Sequence, residues 1–242
     1  MKPGKDAYGQ EVWNYLNGRE AYELIERDDG YFGVSGGPRN YFAEYKDWKE
    51  ADKKAIKYAK GRVLDIGCGA GRVALYLQKK GTDVTGIDNS AIAIKVCKKR
   101  GLKKARVMSI DEIKKFKPNS FDSIVMFGNN FGLFGNFTKA KKLLKEMHRI
   151  TSKYALIIAE SNDPYKTKEK AHLQYHKLNR KRGRMSGQLR IRVIFQKCKG
   201  DWFDYLLVSK KEMEKILKGT GWRVKRYIDS GKSVYFAIIE KC

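Results

Sequence analysis

Across 242 residues there is no pair of cysteines at C-x-x-C spacing, no apolar run long enough to cross a membrane, and too little acid to balance the base. The four cysteines, Cys68, Cys97, Cys198 and Cys242, stand far apart. That argues against a zinc site or a disulfide framework and points to free thiols in a reducing compartment. The longest apolar runs, Tyr154–Ala159 among them, fall far short of the roughly 20 residues of a membrane span, and the first residues carry no apolar signal segment. The expectation is a soluble cytoplasmic protein with neither metal nor membrane partner.

The deficit of acid is the strongest compositional signal. With 52 Lys+Arg against 27 Asp+Glu the formal charge is +25, which repels itself unless something anionic meets it, and so points to nucleic acid. Heat adaptation usually adds Glu together with Lys and does not explain the imbalance. Residues 1–60 carry 11 basic and 11 acidic side chains, whereas residues 161–242 carry 21 and 8. The densest stretch, Lys166 to Lys199, holds 12 Lys or Arg against the single Glu169 and reads as an exposed basic arm. Arg180, Lys181, Arg182 and Arg184 in the arm, with Arg190 and Arg192 on one face of a following strand, are the candidate phosphate contacts.

What is present suffices for one sizeable core, with 42% hydrophobic residues and 12% aromatic. Residues 62–66, 83–87, 104–108, 121–127 and 153–160 read as strands separated by stretches of helical periodicity. Ala140, Leu143, Leu144 and Met147 share one helix face, and Ser209 with Glu212 forms a capping box before Met213 and Ile216. The alternation predicts an α/β fold, a Rossmann-like seven-stranded sheet, mostly parallel, with helices on both faces. The last two strands, near 222–228 and 233–240, are joined too tightly for a crossover and should pair antiparallel. Residues 1–60 read as an N-terminal helical lid and 61–242 as the main domain. Within it, 161–208 forms an insertion whose two strands, Leu189 to Lys197 and Trp202 to Ser209, make a hairpin around Lys199-Gly200.

Between the first core strand and a helix lies Val63-Leu64-Asp65-Ile66-Gly67-Cys68-Gly69-Ala70-Gly71-Arg72. Glycines there let the backbone approach a ligand, and the helix N-terminus offers unpaired N–H groups. The spacing G-x-G-x-G differs from the G-x-G-x-x-G of dinucleotide enzymes. A second strand ends in Asp88, where a carboxylate could hold two ribose hydroxyls.

These residues, with Asn119 to Val125 and the closing segment from Gly221, resemble the class I S-adenosylmethionine-dependent methyltransferases over about residues 60–160 and 205–240. The resemblance implies S-adenosylmethionine as cofactor. It gives Asp65 the glycine loop and the methionine amino group, Gly67, Gly69 and Gly71 the methionine moiety, Asp88 the ribose, and Asn89 the adenine side. Ser109-Ile110 falls where the superfamily often has an acidic residue for the adenine amino group, and Phe127 ends the fourth strand. Asn129-Asn130-Phe131 stands where enzymes that methylate exocyclic amines of bases carry Asp/Asn/Ser-Pro-Pro-Tyr/Phe, here without prolines. Asn129 and Asn130 could accept hydrogens from a ring amine while Phe131 stacks on the base. Charge and resemblance together imply methylation of a base in structured RNA, ribosomal RNA first, and most sharply the N4 of a cytidine. A small-molecule methyltransferase with a pocket-capping insertion is the alternative, and a non-catalytic RNA-binding protein a second.

Two weaker signals complete the reading. Gly33-Val34-Ser35-Gly36-Gly37 matches a G-x-S-x-G nucleophile elbow, but Pro38 follows and no apolar strand precedes it; Tyr31, Phe32 and Tyr41 nearby could be lid aromatics. His172 and His176 are four apart without a third ligand and should meet solvent or phosphate.

Overall fold

The computed structural model describes residues 3–242; the first two positions of the expected lid lie outside the described residues. In chain order it contains α1 (Ala7–Leu16), β1 (Leu24–Arg27), β2 (Phe32–Val34), α2 (Pro38–Phe42), α3 (Glu50–Ile56), β3 (Arg62–Ile66), α4 (Arg72–Lys79), β4 (Asp83–Asp88), α5 (Ala91–Lys99), β5 (Ala105–Val107) and β6 (Phe121–Met126). There follow α6 (Phe137–Ile150), β7 (Thr151–Asn162), α7 (Lys170–Lys181), β8 (Gln188–Phe195), β9 (Cys198–Lys199), β10 (Phe203–Leu206), α8 (Lys210–Leu217), β11 (Trp222–Asp229) and β12 (Val234–Lys241).

Seven strands form one sheet in the order β11-β12-β7-β6-β3-β4-β5, and β10-β8-β1-β2 form a second with β9 on β8. The first is the mixed sheet that the alternation of short apolar runs predicts. β4 and β5 pair in parallel, as do β6 and β7, while β12 lies antiparallel to both β7 and β11. The residues dictate this pattern locally. Val63, Leu64 and Ile66 of β3 are buried, as are Ile124, Val125 and Met126 of β6, as strands covered on both faces require. In α6 the Asn136 side chain accepts from the Lys139 N–H at 2.9 Å, and Ala140, Leu143, Leu144, Met147 and Ile150 form its buried stripe. Both arms of the Ser209–Glu212 capping box are present.

The chain divides into two compact units, neither contiguous: residues 1–48, 64–110 and 190–203 form one, and residues 49–63, 111–189 and 204–242 the other. In the first unit, α1 begins at Asp6, whose carboxylate accepts from the Gly9 N–H at 2.8 Å and from the Ser90 hydroxyl at 2.7 Å. The N-terminal segment is not all helix, because β1 and β2 form a hairpin in the register Leu24↔Val34. β1 also pairs with β8 in the register Glu26↔Arg192.

In the second unit, α7 ends in a turn clasped by the Asn179 side chain, which donates to the carbonyls of Ser186 at 3.0 Å and Gln188 at 2.7 Å. The stretch expected as an arm is therefore a helix and a clasped turn leading into a strand. After β8 the chain reverses at Gln196-Lys197 (φ 52° at Gln196), earlier than Lys199-Gly200, because the tight pairing is Phe195↔Cys198.

Candidate active site

The glycine loop follows β3, at the carboxyl end of a parallel strand, where open α/β sheets bind ligands. Its start is tied to β4 by the N–H groups of Gly67 and Cys68, both donating to the Ile87 carbonyl at 2.9 and 3.0 Å. Gly71 takes φ +87° at the N-cap of α4, a left-handed conformation that suits glycine. At Gly69 a Cβ would collide with the hydroxyl of Tyr8, so only glycine lets α1 come this close. Two side chains of α5 bind the loop's carbonyls: the Cys97 thiol donates to Gly69 O at 3.0 Å, and the Arg100 guanidinium donates to Ala70 O. Sequence reasoning overlooked both, since neither type at that distance from the motif signals contact.

Asp65 is buried at the end of β3 and accepts from the Ala74 N–H; burial pushes its carboxyl up to about 7 against the pull of Arg72. Asp88 ends β4 with its two oxygens divided, one accepting from Gly69 N–H at 3.0 Å and the other from Ser90 N–H at 2.9 Å. Burial raises it to about 6, restrained by those bonds and by the Asn89 N–H. The Asn89 side chain is exposed beside it. Ser109 is half-buried and Ile110 buried, at the start of a 3-10 turn over Ile110–Lys115. The acidic residue of that turn nearest to Ser109 is Asp111, which pairs with Lys139 at 2.9 Å.

In the second unit, the loop after β6 begins with Phe127, buried with its ring 4.7 Å from that of Phe236. Gly128 N–H donates to Glu160 at 2.6 Å. Asn129 is left-handed (φ 66°), its carbonyl accepts from the Tyr205 hydroxyl at 2.7 Å, and its side-chain Oδ1 is buried with no hydrogen-bond partner among the described residues. Asn130 is half-buried and opens a 3-10 turn ending at Phe134. Phe131 corrects an expectation: the ring meant to stack on a base is fully buried, at 84° to Phe134 with centroids 4.9 Å apart. It holds the loop down and has no free face.

A cluster with no sequence signature lies in the first unit. Glu11 on α1 is completely buried and neither carboxyl oxygen has a partner among the described residues. Burial and the neighbouring Glu23 push it up to about 9. Glu23, also buried, accepts from the Tyr41 hydroxyl at 3.0 and 3.2 Å and from Ser35, and burial raises it too. Tyr8, one turn before Glu11, has its ring 5.3 Å from that of Tyr41 at 74°. Burial, Tyr41, Asp88, Glu23 and Glu11 all raise the Tyr8 phenol, so these groups form one acidic neighbourhood next to the glycine loop. A strand, β2, and a short helix, α2, do flank the G-x-S-x-G match, but Ser35 serves Glu23 and the Gly37 N–H.

The basic residues split in role. Arg192 donates to Glu26 at 2.7 Å and stacks 4.6 Å over the Trp202 ring, and Arg180 donates to Ser186 at 3.0 Å. Lys181 and Arg182 are exposed, while Arg184 and Arg190 are half-buried. Of the two α7 histidines, His172 lies 3.1 Å from Glu169, and His176, expected at solvent or phosphate, is buried beside Tyr165.

Residues 64–159 match the family described as methyltransferase domain. Among curated relatives, a ubiquinone biosynthesis O-methyltransferase of Xylella fastidiosa is 34% identical over 76 residues, 29% of this chain and 31% of that protein. A putative methyltransferase of a Geobacillus species is 24% identical over 51% of this chain and 53% of its own length. The chain thus spans between about a third and a half of these relatives. Among solved structures, a SAM-dependent methyltransferase from Bacteroides fragilis in complex with S-adenosyl-L-homocysteine superposes with TM-score 0.85 at 23% identity, covering 100% of this chain and 97% of that one. One from Methanosarcina mazei gives 0.62 at 21% identity, over 81% and 98%. The fold is that of the class I SAM-dependent methyltransferases.

Proposed function

We propose that this protein is an S-adenosylmethionine-dependent methyltransferase acting on a small-molecule acceptor. The observation that carries the reading is the Asp88 carboxylate, fixed by Gly69 and Ser90 beside a glycine loop whose Gly69 permits close approach, within a stretch matching a methyltransferase domain. When bound, the cofactor would supply an electrophilic methyl group on a sulfonium centre. Asp88 is suited to the two ribose hydroxyls, since both its oxygens are already oriented. Asp65 and the loop from Gly67 to Gly71 would hold the methionine end, and Asn89, Ser109 and Ile110 would border the base. An in-line displacement draws much of its rate from such positioning.

Three observations support a small acceptor over RNA. The curated relatives include ubiquinone biosynthesis O-methyltransferases, the basic insertion is folded into a sheet with the N-terminal strands, and Arg192 is engaged by Glu26 and Trp202. The N4-cytidine reading leaned on Phe131, whose ring has no exposed face. The charge of +25 and the exposed Lys177, Lys181 and Arg182 favour a second reading, a base in RNA. The test is transfer of tritium from methyl-labelled S-adenosylmethionine into a metabolite extract and, in parallel, into unmodified ribosomal RNA. Label confined to metabolites supports the first reading, label in RNA the second, and label in neither overturns both.

A further inference from the structure

We propose that Glu11 and Glu23, walled by the phenols of Tyr8 and Tyr41, form a recognition site for an organic cation, an amine carried by the acceptor substrate. The inference rests on the methyltransferase reading and narrows its substrate class.

Two carboxyl groups buried side by side are costly unless a cation or a set of donors offsets them. Glu23 is partly served by Tyr41 and Ser35, but both oxygens of Glu11 are buried with no partner among the described residues. Among the described residues, the groups that act on the two carboxyls are Ser35 and Tyr41, which bond Glu23, and Glu23 itself on Glu11. Tyr8, on the same helix as Glu11, feels both glutamates, and none of these groups is cationic. The next residue of α1, Val12, lies in an apolar cluster with Ala70, Ala93 and Val96, against which Tyr8 and Tyr41 pack. A buried glutamate there therefore weakens the fold and needs another reason.

The chemistry of the pair selects its ligand. Burial and the neighbouring Glu23 favour the protonated form of Glu11, so the pair resists ionisation on its own, repels an anion, and is stabilised in its charged form by an ammonium group. The rings of Tyr8 and Tyr41 meet edge to face at 5.3 Å, and their faces can hold a cation as well as its apolar carrier. The location fits an acceptor, because the Tyr8 hydroxyl abuts Gly69 and Tyr8 also senses Asp88. A cation arriving there displaces the proton that Glu11 holds, so binding should strengthen as pH rises from 6 to 8.

The test is titration calorimetry on the full chain, as wild type, Glu11→Gln and Glu23→Gln. Three probes are used: S-adenosylhomocysteine alone and, in its presence, phenethylamine and its neutral counterpart 2-phenylethanol. Circular dichroism melts confirm that each variant is folded. The wild type is expected to bind the amine more than about tenfold tighter than the alcohol, because removing one partner of a buried charge pair costs at least that much. In both variants the preference should collapse while S-adenosylhomocysteine affinity stays within about twofold of wild type. Equal binding of amine and alcohol, or an amine preference that survives Glu11→Gln, overturns the proposal. A parallel loss of S-adenosylhomocysteine affinity also overturns it, by assigning the pair to the cofactor's own ammonium. Failure of the folded wild type to bind S-adenosylhomocysteine overturns the methyltransferase reading instead.

Discussion

The thiol of Cys97, on the helix after β4, donates a hydrogen bond to the carbonyl of Gly69 at 3.0 Å, so a side chain outside the glycine motif fixes that motif's central peptide. Replacing it by the apolar Cys97→Val removes the donor and leaves a buried carbonyl unserved, a cost of about 1–3 kcal/mol. S-adenosylhomocysteine affinity, measured by calorimetry, should fall, while Cys97→Ser retains most of it.

Asp88→Ala should cost more, because both carboxylate oxygens are lost together with the groups they organise at Gly69 and Ser90. We expect at least a tenfold weakening of S-adenosylhomocysteine binding, about 1.4 kcal/mol or more. With its carboxyl raised to about 6, the wild type should also lose affinity as pH falls below that value and the acceptor becomes a neutral acid.

Stability should run the opposite way with pH. Glu11 is raised to about 9 from an ordinary value near 4.5, and Asp65 to about 7 from 3.8. Between the unfolded and folded values the native state holds protons that the unfolded chain has shed, so stability is greatest below about pH 4.5 on their account and falls as pH rises toward 9. Asp29 and Asp122 are lowered by arginine partners and act in the reverse sense under more acidic conditions. Glu11→Leu should flatten the decline between pH 6 and 9. It should also raise stability at pH 8 by about 1–3 kcal/mol, roughly 2–4 °C of melting temperature per kcal/mol. Thermal melts across that range check both.

The two classes of basic residue should separate cleanly. Arg192→Ala breaks a half-buried bond to Glu26 and the contact with Trp202, and should destabilise the fold by about 1–3 kcal/mol. Replacing exposed Lys177, Lys181 and Arg182 by Gln should leave the melting temperature within about 2 °C. If RNA is a ligand, that triple variant should lower the slope of log affinity against log salt in a filter-binding assay.

The sheet and the glycine loop were legible because their signals are local: apolar runs of strand length, capping residues, and glycines at fixed spacing. α8 is opened by Ser209 and Glu212 three residues apart, and both bonds form. β1 was not legible, since Leu24-Ile25-Glu26-Arg27 shows no alternation and its partner β8 lies far along the chain. The Glu11–Glu23 pair was hidden because two glutamates in a segment of balanced charge look like surface residues; only the packing of α1 and α2 makes them costly. Phe131 misled because its neighbours resemble a stacking motif, whereas the turn from Asn130 to Phe134 directs the ring inward.

The pairing of Glu26 with Arg192 joins positions 166 residues apart, which sets a timetable for synthesis. At about 5–20 residues per second, β1 leaves the ribosome roughly ten to thirty seconds before the strand that will cover its edge exists. During that interval the N-terminal hairpin has only its own two short strands to hold it, and such isolated hairpins are marginal in water. The segment made first is thus among the last to become fixed, since β1 gains its second partner only when β8 emerges.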